Sequence, residues 1–272
     1  MKRSLRRRVV VVTGGSSGLG LAFAQMAARD AAIVWLLARD ESKLRSAAAE
    51  ITEASPDASV NWVSADINDG DSLNTALGQI DKIDVMVCSA GVLKEGRFDS
   101  QPTDDWRRMI DTNVFGTVNC ARAALPALKE SGGQLVIVSS MAGLLGVYGY
   151  TAYSASKHAL VGFSESLRFE LAEDGVSVNL VCPGEFDSPM VTQLDAQRSA
   201  ENRAHVLTIP KSSVESVASA IVKAIEMDRP VTIPGVRAAT AAKLGAIFPA
   251  LTRRVGSLTI RKAAARALKT DR

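Results

Sequence analysis

The chain has 272 residues, 47% of them hydrophobic, which suits one large core and shows no composition break demanding a second domain. Three cysteines without a Cys-x-x-Cys pair (Cys88, Cys120, Cys182) and two distant histidines (His158, His205) argue against a disulfide framework and a metal site, and point to a reducing, cytoplasmic compartment. The net charge of +3 is uneven: residues 1–8 carry five basic side chains and residues 236–272 nine against one acid, so the body is acidic, which argues against a nucleic-acid groove.

In chain order, short β-branched runs at 9–13, 33–38, 60–64, 85–88, 134–139, 177–182 and 231–233 read as seven strands. The segments between them mostly have helical length and spacing. The implied fold class is α/β: a doubly wound, Rossmann-type parallel sheet covered on both faces, its ligands at the carboxyl ends of the strands. Residues 1–235 read as the dinucleotide-binding and catalytic domain, and 236–272 as a basic C-terminal extension. Two stretches stand out as irregular, the loop from Gly184 to about Lys211 and the tail after Gly235.

The first strand runs into Thr13-Gly14-Gly15-Ser16-Ser17-Gly18-Leu19-Gly20, which opens a helix near Leu19. Glycines permit a sharp turn and close approach of backbone to a pyrophosphate, and the helix N-terminus offers free N–H groups and partial positive charge. The second strand ends Leu37-Ala38-Arg39 with no acid at its tip, although Asp40 follows. An acid there would bind a ribose 2′-hydroxyl, whereas Arg39 with the Ser16 hydroxyl suits a 2′-phosphate, so the cofactor expected is NADP(H).

Tyr153 and Lys157 lie four residues apart near the start of a helical stretch reaching about Glu173, and therefore share one face. A phenol of ordinary pKa about 10 is a poor base near neutrality, and a cation held close favours its ionised form. Ser140 closes the fifth strand, thirteen residues before Tyr153.

Taken together, the glycine-rich turn, Asp66 after the third strand, Cys88-Ser89-Ala90-Gly91, Asn113 within Asp111-Thr112-Asn113-Val114-Phe115-Gly116, the Ser140/Tyr153/Lys157 set and 183–189 resemble the short-chain dehydrogenase/reductase family. The resemblance implies that Ser140 orients a substrate carbonyl and Tyr153 passes the proton. Lys157 would bind the nicotinamide ribose and lower the tyrosine pKa, and Asn113 would hold a water of the proton relay. It places Gly14, Ser16, Ser17, Gly18, Leu19, Gly20, Asp66, Ile67, Ala90, Gly91, Pro183 and Gly184 against the cofactor, Asp66 at the adenine and Ser188 at the carboxamide. It also implies a homodimer or homotetramer joined through the helices that hold Asn113 and Tyr153. One departure is Cys88-Ser89 where the family has two asparagines; losing the first removes an amide that ties neighbouring strands, so altered local stability is expected there, with Cys88 as a packing residue.

Around Arg39 and from Ser139 to Ser156 the pattern is most like the 3-ketodihydrosphingosine reductase branch, which implies a long-chain keto amine as substrate. Reductases of steroids, 3-ketoacyl chains and small ketones share much of it, as does hydroxyl oxidation in reverse, and a non-enzymatic NADP(H)-binding regulator is the remaining alternative. Leu144, Leu145, Val147 and Tyr148, with Phe186, Met190, Val191 and Leu194 in the irregular loop, are candidate substrate contacts or lid packing. In the tail, Leu244, Ile247, Phe248, Leu251, Val255 and Leu258 recur at roughly helical spacing beside Lys243, Arg253, Arg254, Arg261 and Lys262, interrupted by Gly245, Pro249 and Gly256. This reads as a basic amphipathic helix or pair that docks either on an anionic membrane surface or on protein. No apolar run reaches the roughly 18 residues needed to span a bilayer, and the apolar run after the basic start is too short for a signal-peptide core.

Overall fold

The computed structural model describes residues 4–30 and 32–270; Lys2, Arg3 and Arg272 of the basic ends, and the acid Asp271, lie outside the described residues. Seven strands, β1 (Val9–Thr13), β2 (Ile33–Ala38), β3 (Ser59–Ser64), β4 (Val85–Cys88), β5 (Gln134–Val138), β6 (Ser177–Val181) and β7 (Val231–Thr232), form one parallel sheet in the order 3-2-1-4-5-6-7. Ser139, Cys182 and Ile233, expected inside strands, fall just beyond their ends, where the chain turns toward the site.

Side chains alternate along a strand, and in β1 this sorts the core into two layers. Val10 and Val12 pack with Phe23, Leu44 and Ile221, from α1 (Gly18–Arg29), α2 (Glu41–Ala54) and α9 (Val214–Glu226). Val11 faces the other way, toward Leu73, Leu128 and Leu160, from α3 (Gly70–Leu77), α5 (Gly116–Ser131) and α6 (Thr151–Glu170). Such fully buried leucines each contribute roughly 1.5–3 kcal/mol. Between β4 and α5 lie α4 (Thr103–Ile110) and a π-helical turn, Asp111–Phe115.

The chain winds outward from β1 through β2 to β3, then returns to β4 on the opposite side of β1, leaving a crevice beyond the ends of β1 and β4. The stretch after Gly184 is less irregular than its sequence suggests: α7 (Pro189–Asp195) and α8 (Ala200–Val206) form where Ser188 and Ser199 accept first-turn N–H groups. The tail is a helix pair, α10 (Val236–Ile247) and α11 (Pro249–Thr270), broken at Pro249. Its inner face packs on the body. Ala238 and Ala242 cluster with Met141, Leu145 and Ile209, α11 lies along α8, and a Cβ on Gly256 would come within 3.0 Å of His205 Nε2.

Candidate active site

A cavity of about 280 Å³ opens at the crevice. Of the expected residues, Gly14, Ser17, Gly18, Leu19, Gly20, Gly91, Ser140, Tyr153, Lys157, Pro183, Gly184 and Ser188 line it. Ser16, Arg39, Asp66, Ile67, Ala90 and Asn113 lie outside that lining.

The nucleotide end is shaped by backbone. Gly14 has φ +68°, and a Cβ there would meet Ala90 Cα at 3.1 Å; a Cβ on Gly20 would lie 2.7 Å from the Gly14 carbonyl carbon. Only glycines allow this approach of the turn to the strand ends. Behind them, Ser17 makes no capping bond to α1, whereas Asp40, Asp69 and Ser188 cap α2, α3 and α7. The first N–H groups of α1 thus face the cavity without a side-chain partner, a donor set suited to phosphate oxygens. At the tip of β2, Arg39 is exposed, its Nη1 3.8 Å from Asp66. The Asp40 carboxylate accepts from Ser42 Oγ (2.8 Å) and the Lys43 N–H (3.1 Å), bonds that hold its pKa below the ordinary value and engage it in capping α2. Ile67 packs over Gly116, where a Cβ would collide with its side chain.

At the departure, 88–91, hydroxyl groups join the neighbouring strand ends. Ser89 Oγ donates to the Thr13 carbonyl (2.5 Å), and Thr13 Oγ1 accepts from the Ser89 and Ala90 N–H groups (3.1 and 3.2 Å), so hydroxyls tie β1 to β4. Cys88 is buried in the second core layer beside Cys120, as expected of a packing residue, and both thiols are free.

At the catalytic end, the turn of α6 that follows β5 brings three groups together. Tyr153 and Ser140 both border the cavity, and Lys157 Nζ lies 5.7 Å from the Tyr153 ring centroid. Lys157 is buried; its Nζ donates to the Val138 carbonyl (3.0 Å), and Ser139 Oγ donates to the Lys157 carbonyl (2.9 Å), tying α6 to the end of β5. Burial pushes the Tyr153 hydroxyl up to about 12, against the lowering effect of Ser140, and pushes Lys157 down to about 8.

Asn113 is fully buried in the π-helical turn. Its Oδ1 accepts from the Val92 N–H (2.8 Å), and its Nδ2 donates to the Val92 carbonyl (3.0 Å) and Ser156 Oγ (2.9 Å). Ser156 Oγ donates to the Tyr153 carbonyl (2.7 Å), so Asn113 braces the turn that carries the tyrosine.

The sequence reading missed Tyr150 and Arg198. The Tyr150 ring packs edge-on against Tyr153 at 5.6 Å, and its hydroxyl accepts from Arg198 Nη2 at 3.2 Å. Arg198 pairs with Glu185 through both guanidinium ends, and Lys211 joins Asp195 at 2.8 Å, so ion pairs clasp the segment carrying α7 and α8 over the site. These partners are far apart in sequence, and no local pattern announces them. Of the candidate substrate contacts, Leu145, Val147, Phe186, Met190 and Val191 line the cavity; Leu144, Tyr148 and Leu194 do not.

Fold and site together define a nicotinamide-dependent oxidoreductase, with a tyrosine, a lysine and a serine at the floor of an apolar-walled cavity. The family model of short chain dehydrogenases matches residues 8–199, and the chain belongs to that family. Among curated relatives, a 3-dehydrosphinganine reductase of Arabidopsis thaliana is 40% identical over 68% of this chain and 57% of its own length. A 3-ketodihydrosphingosine reductase of Bos taurus is 35% identical over 79% of this chain and 67% of its own. The chain therefore spans under two thirds of the plant protein's length and about two thirds of the bovine protein's. Among solved structures, an actinorhodin polyketide ketoreductase with NADPH superposes with a TM-score of 0.76 at 27% identity, covering 86% of this chain and 97% of that one.

Proposed function

We propose that this protein is an NADP(H)-dependent carbonyl reductase acting on a lipid ketone, of which 3-ketosphinganine is the example its relatives suggest. The observation that carries the reading is the convergence of Tyr153, Lys157 and Ser140 on one apolar-walled cavity beyond the strand ends, a site that serves both directions and leaves the choice to the cofactor ratio. Burial favours the protonated phenol at neutral pH, the form that the reductive direction uses. When bound, the dinucleotide supplies the hydride. Ser140 donates a hydrogen bond to the substrate carbonyl oxygen, Tyr153 transfers its proton to that oxygen as negative charge develops, and the Lys157 ammonium stabilises the phenolate left behind. Asn113 acts as a positioning residue through Val92 and Ser156.

Use of the phosphorylated dinucleotide is supported by Arg39 at the tip of β2 and by the engagement of Asp40 in capping α2, which leaves that carboxylate a poor partner for a ribose hydroxyl. A lipid substrate is supported by the apolar wall of Met141, Leu145, Val147 and Ile209. The outer face of the tail helices, with Ile247, Phe248, Leu251, Val255 and Leu258 each about half exposed or more beside Arg253 and Arg254, suits peripheral contact with an anionic membrane. Among the described residues, no helix is long and apolar enough to cross one. Exposed Phe115 and Phe169 suit pairing of two copies through α5 and α6.

NADPH consumption across a panel of 3-ketosphinganine, 3-ketoacyl thioesters, steroids and small ketones tests the reading. Turnover of long-chain or polycyclic ketones is expected; a rate confined to small ketones overturns the lipid assignment, and none at all overturns the enzymatic one. For the tail, co-sedimentation with anionic liposomes should be lost in a chain ending at Gly235, and equal binding of both chains defeats membrane docking.

A further inference from the structure

We infer that the cavity is built for a ketone whose carbonyl is flanked by uncharged groups, so that a protonated amine beside the carbonyl hinders the substrate and plays no part in its recognition. This rests on the reductase reading above and narrows its substrate class to lipid ketones without the amine, setting it against the 3-ketosphinganine that the relatives suggest.

An ammonium taken from water into a partly enclosed site is stabilised most by an acceptor of opposite charge that is free to receive it. Among the described residues lining the cavity, Glu185 is the single acid, and both its oxygens are engaged. Oε1 lies 3.0 Å from Arg198 Nη1 and 3.4 Å from Lys211 Nζ, and Oε2 accepts from Arg198 Nη2 at 2.5 Å. The Arg198 and Glu185 side chains are 1% and 7% exposed, and Arg198 is held further by Tyr150 and Asp195. An incoming ammonium would have to displace one of these cations, and breaking a buried pair leaves an uncompensated charge.

The ionisable nitrogen groups of the lining offer no anion. Lys157 is a cation whose own protonation burial already disfavours, and an ammonium one carbon from the reacting carbonyl would bring a like charge toward it. His205 accepts the Tyr148 N–H on Nδ1 (3.1 Å), so its other ring nitrogen carries a proton and offers an ammonium no lone pair. The apolar wall of Met141, Leu145 and Ile209 is backed by Ala238 and Ala242 of α10, a surface for hydrocarbon.

The test compares kcat/KM of the full chain with NADPH for 3-ketosphinganine and for the matching chain-length ketone without the amine, across pH 6–9. The plain ketone is expected to be favoured about tenfold at pH 6, and the amino-to-plain ratio to rise with pH as the substrate amine loses its proton; enzyme ionisations cancel in that ratio. An amino ketone that matches or exceeds the plain one at pH 6, or a ratio that is flat or falls with pH, overturns the inference. Glu185→Gln gives a second arm. The ratio should stay within about twofold of wild type, while a tenfold selective loss of the amino ketone would make Glu185 its receptor and refute the proposal. If the variant fails to fold, the wild-type ratio still decides. Absence of turnover with every ketone defeats the reductase reading itself, which separates the two failures.

Discussion

At the amino ends of the central strands, Arg8 donates to Gln134 Oε1 (2.6 Å) and the Asp84 carbonyl (2.8 Å). Gln134 Nε2 donates to the Ile225 carbonyl (3.0 Å), and Asn179 Nδ2 to the Arg229 carbonyl (2.9 Å). At the carboxyl ends, Lys157 is also buried and Ser140 and Tyr153 are partly so; all three face a cavity, and burial displaces the pKa values of Tyr153 and Lys157. Both ends bury polar groups in the same sheet. The amino end joins donors to acceptors that do not titrate near neutrality, which secures strand register; the carboxyl end holds ionisable groups where enclosure displaces their protonation, the signature of groups kept for chemistry.

Substitutions at the two ends should therefore separate activity from stability. Tyr153→Phe should lower kcat/KM by roughly 10²–10⁴-fold with the melting temperature little changed; steady-state assay beside thermal unfolding checks this, and an unchanged rate refutes the assigned role. A second break comes from pH. Because burial holds Lys157 at about 8, its cation is present below that pH and lost above it. Reductive kcat/KM on a neutral ketone should fall about tenfold per pH unit above that point, and a profile flat to pH 10 would disconnect the lysine from catalysis.

Gln134→Leu is the converse. It strands the partners of a fully buried amide, costing about 1–3 kcal/mol and lowering Tm by roughly 3–8 °C, while kcat of the folded protein at 25 °C holds. A rate loss matching that of the tyrosine variant would erase the distinction between the ends. The smallest effect belongs to the cofactor rim. Arg39→Ala should lower kcat/KM with NADPH about tenfold and leave NADH within about twofold, with stability unmoved because its pair with Asp66 is exposed and weak. Equal losses with both dinucleotides would refute discrimination by Arg39.

Much of this is legible in the sequence alone. The β-branched runs have a strand's length and the segments between them a helix's, so the sheet and the location of its ligand end follow from local pattern. The glycine turn was readable because only glycine meets its backbone demand, and Tyr153 with Lys157 because four residues make one helical turn. The clasp of Arg198 by Glu185 and Tyr150 was not readable, since its members belong to separate segments and any surface arginine looks the same in sequence. Gly245 and Gly256 read as weak points of a helix; in the fold they are places where the tail presses on Leu145 and His205 at the cavity wall.

What the sequence determined by itself is local: which segments are buried, where the backbone must turn, and which phenol and ammonium share a face, all set by interactions within a few residues. Tertiary structure alone decided the environment of those groups, the pairing of Glu185 with Arg198 and the backing of the cavity by the tail. Each of these depends on burial and on charges brought together from distant positions, and neither quantity exists until the chain has packed.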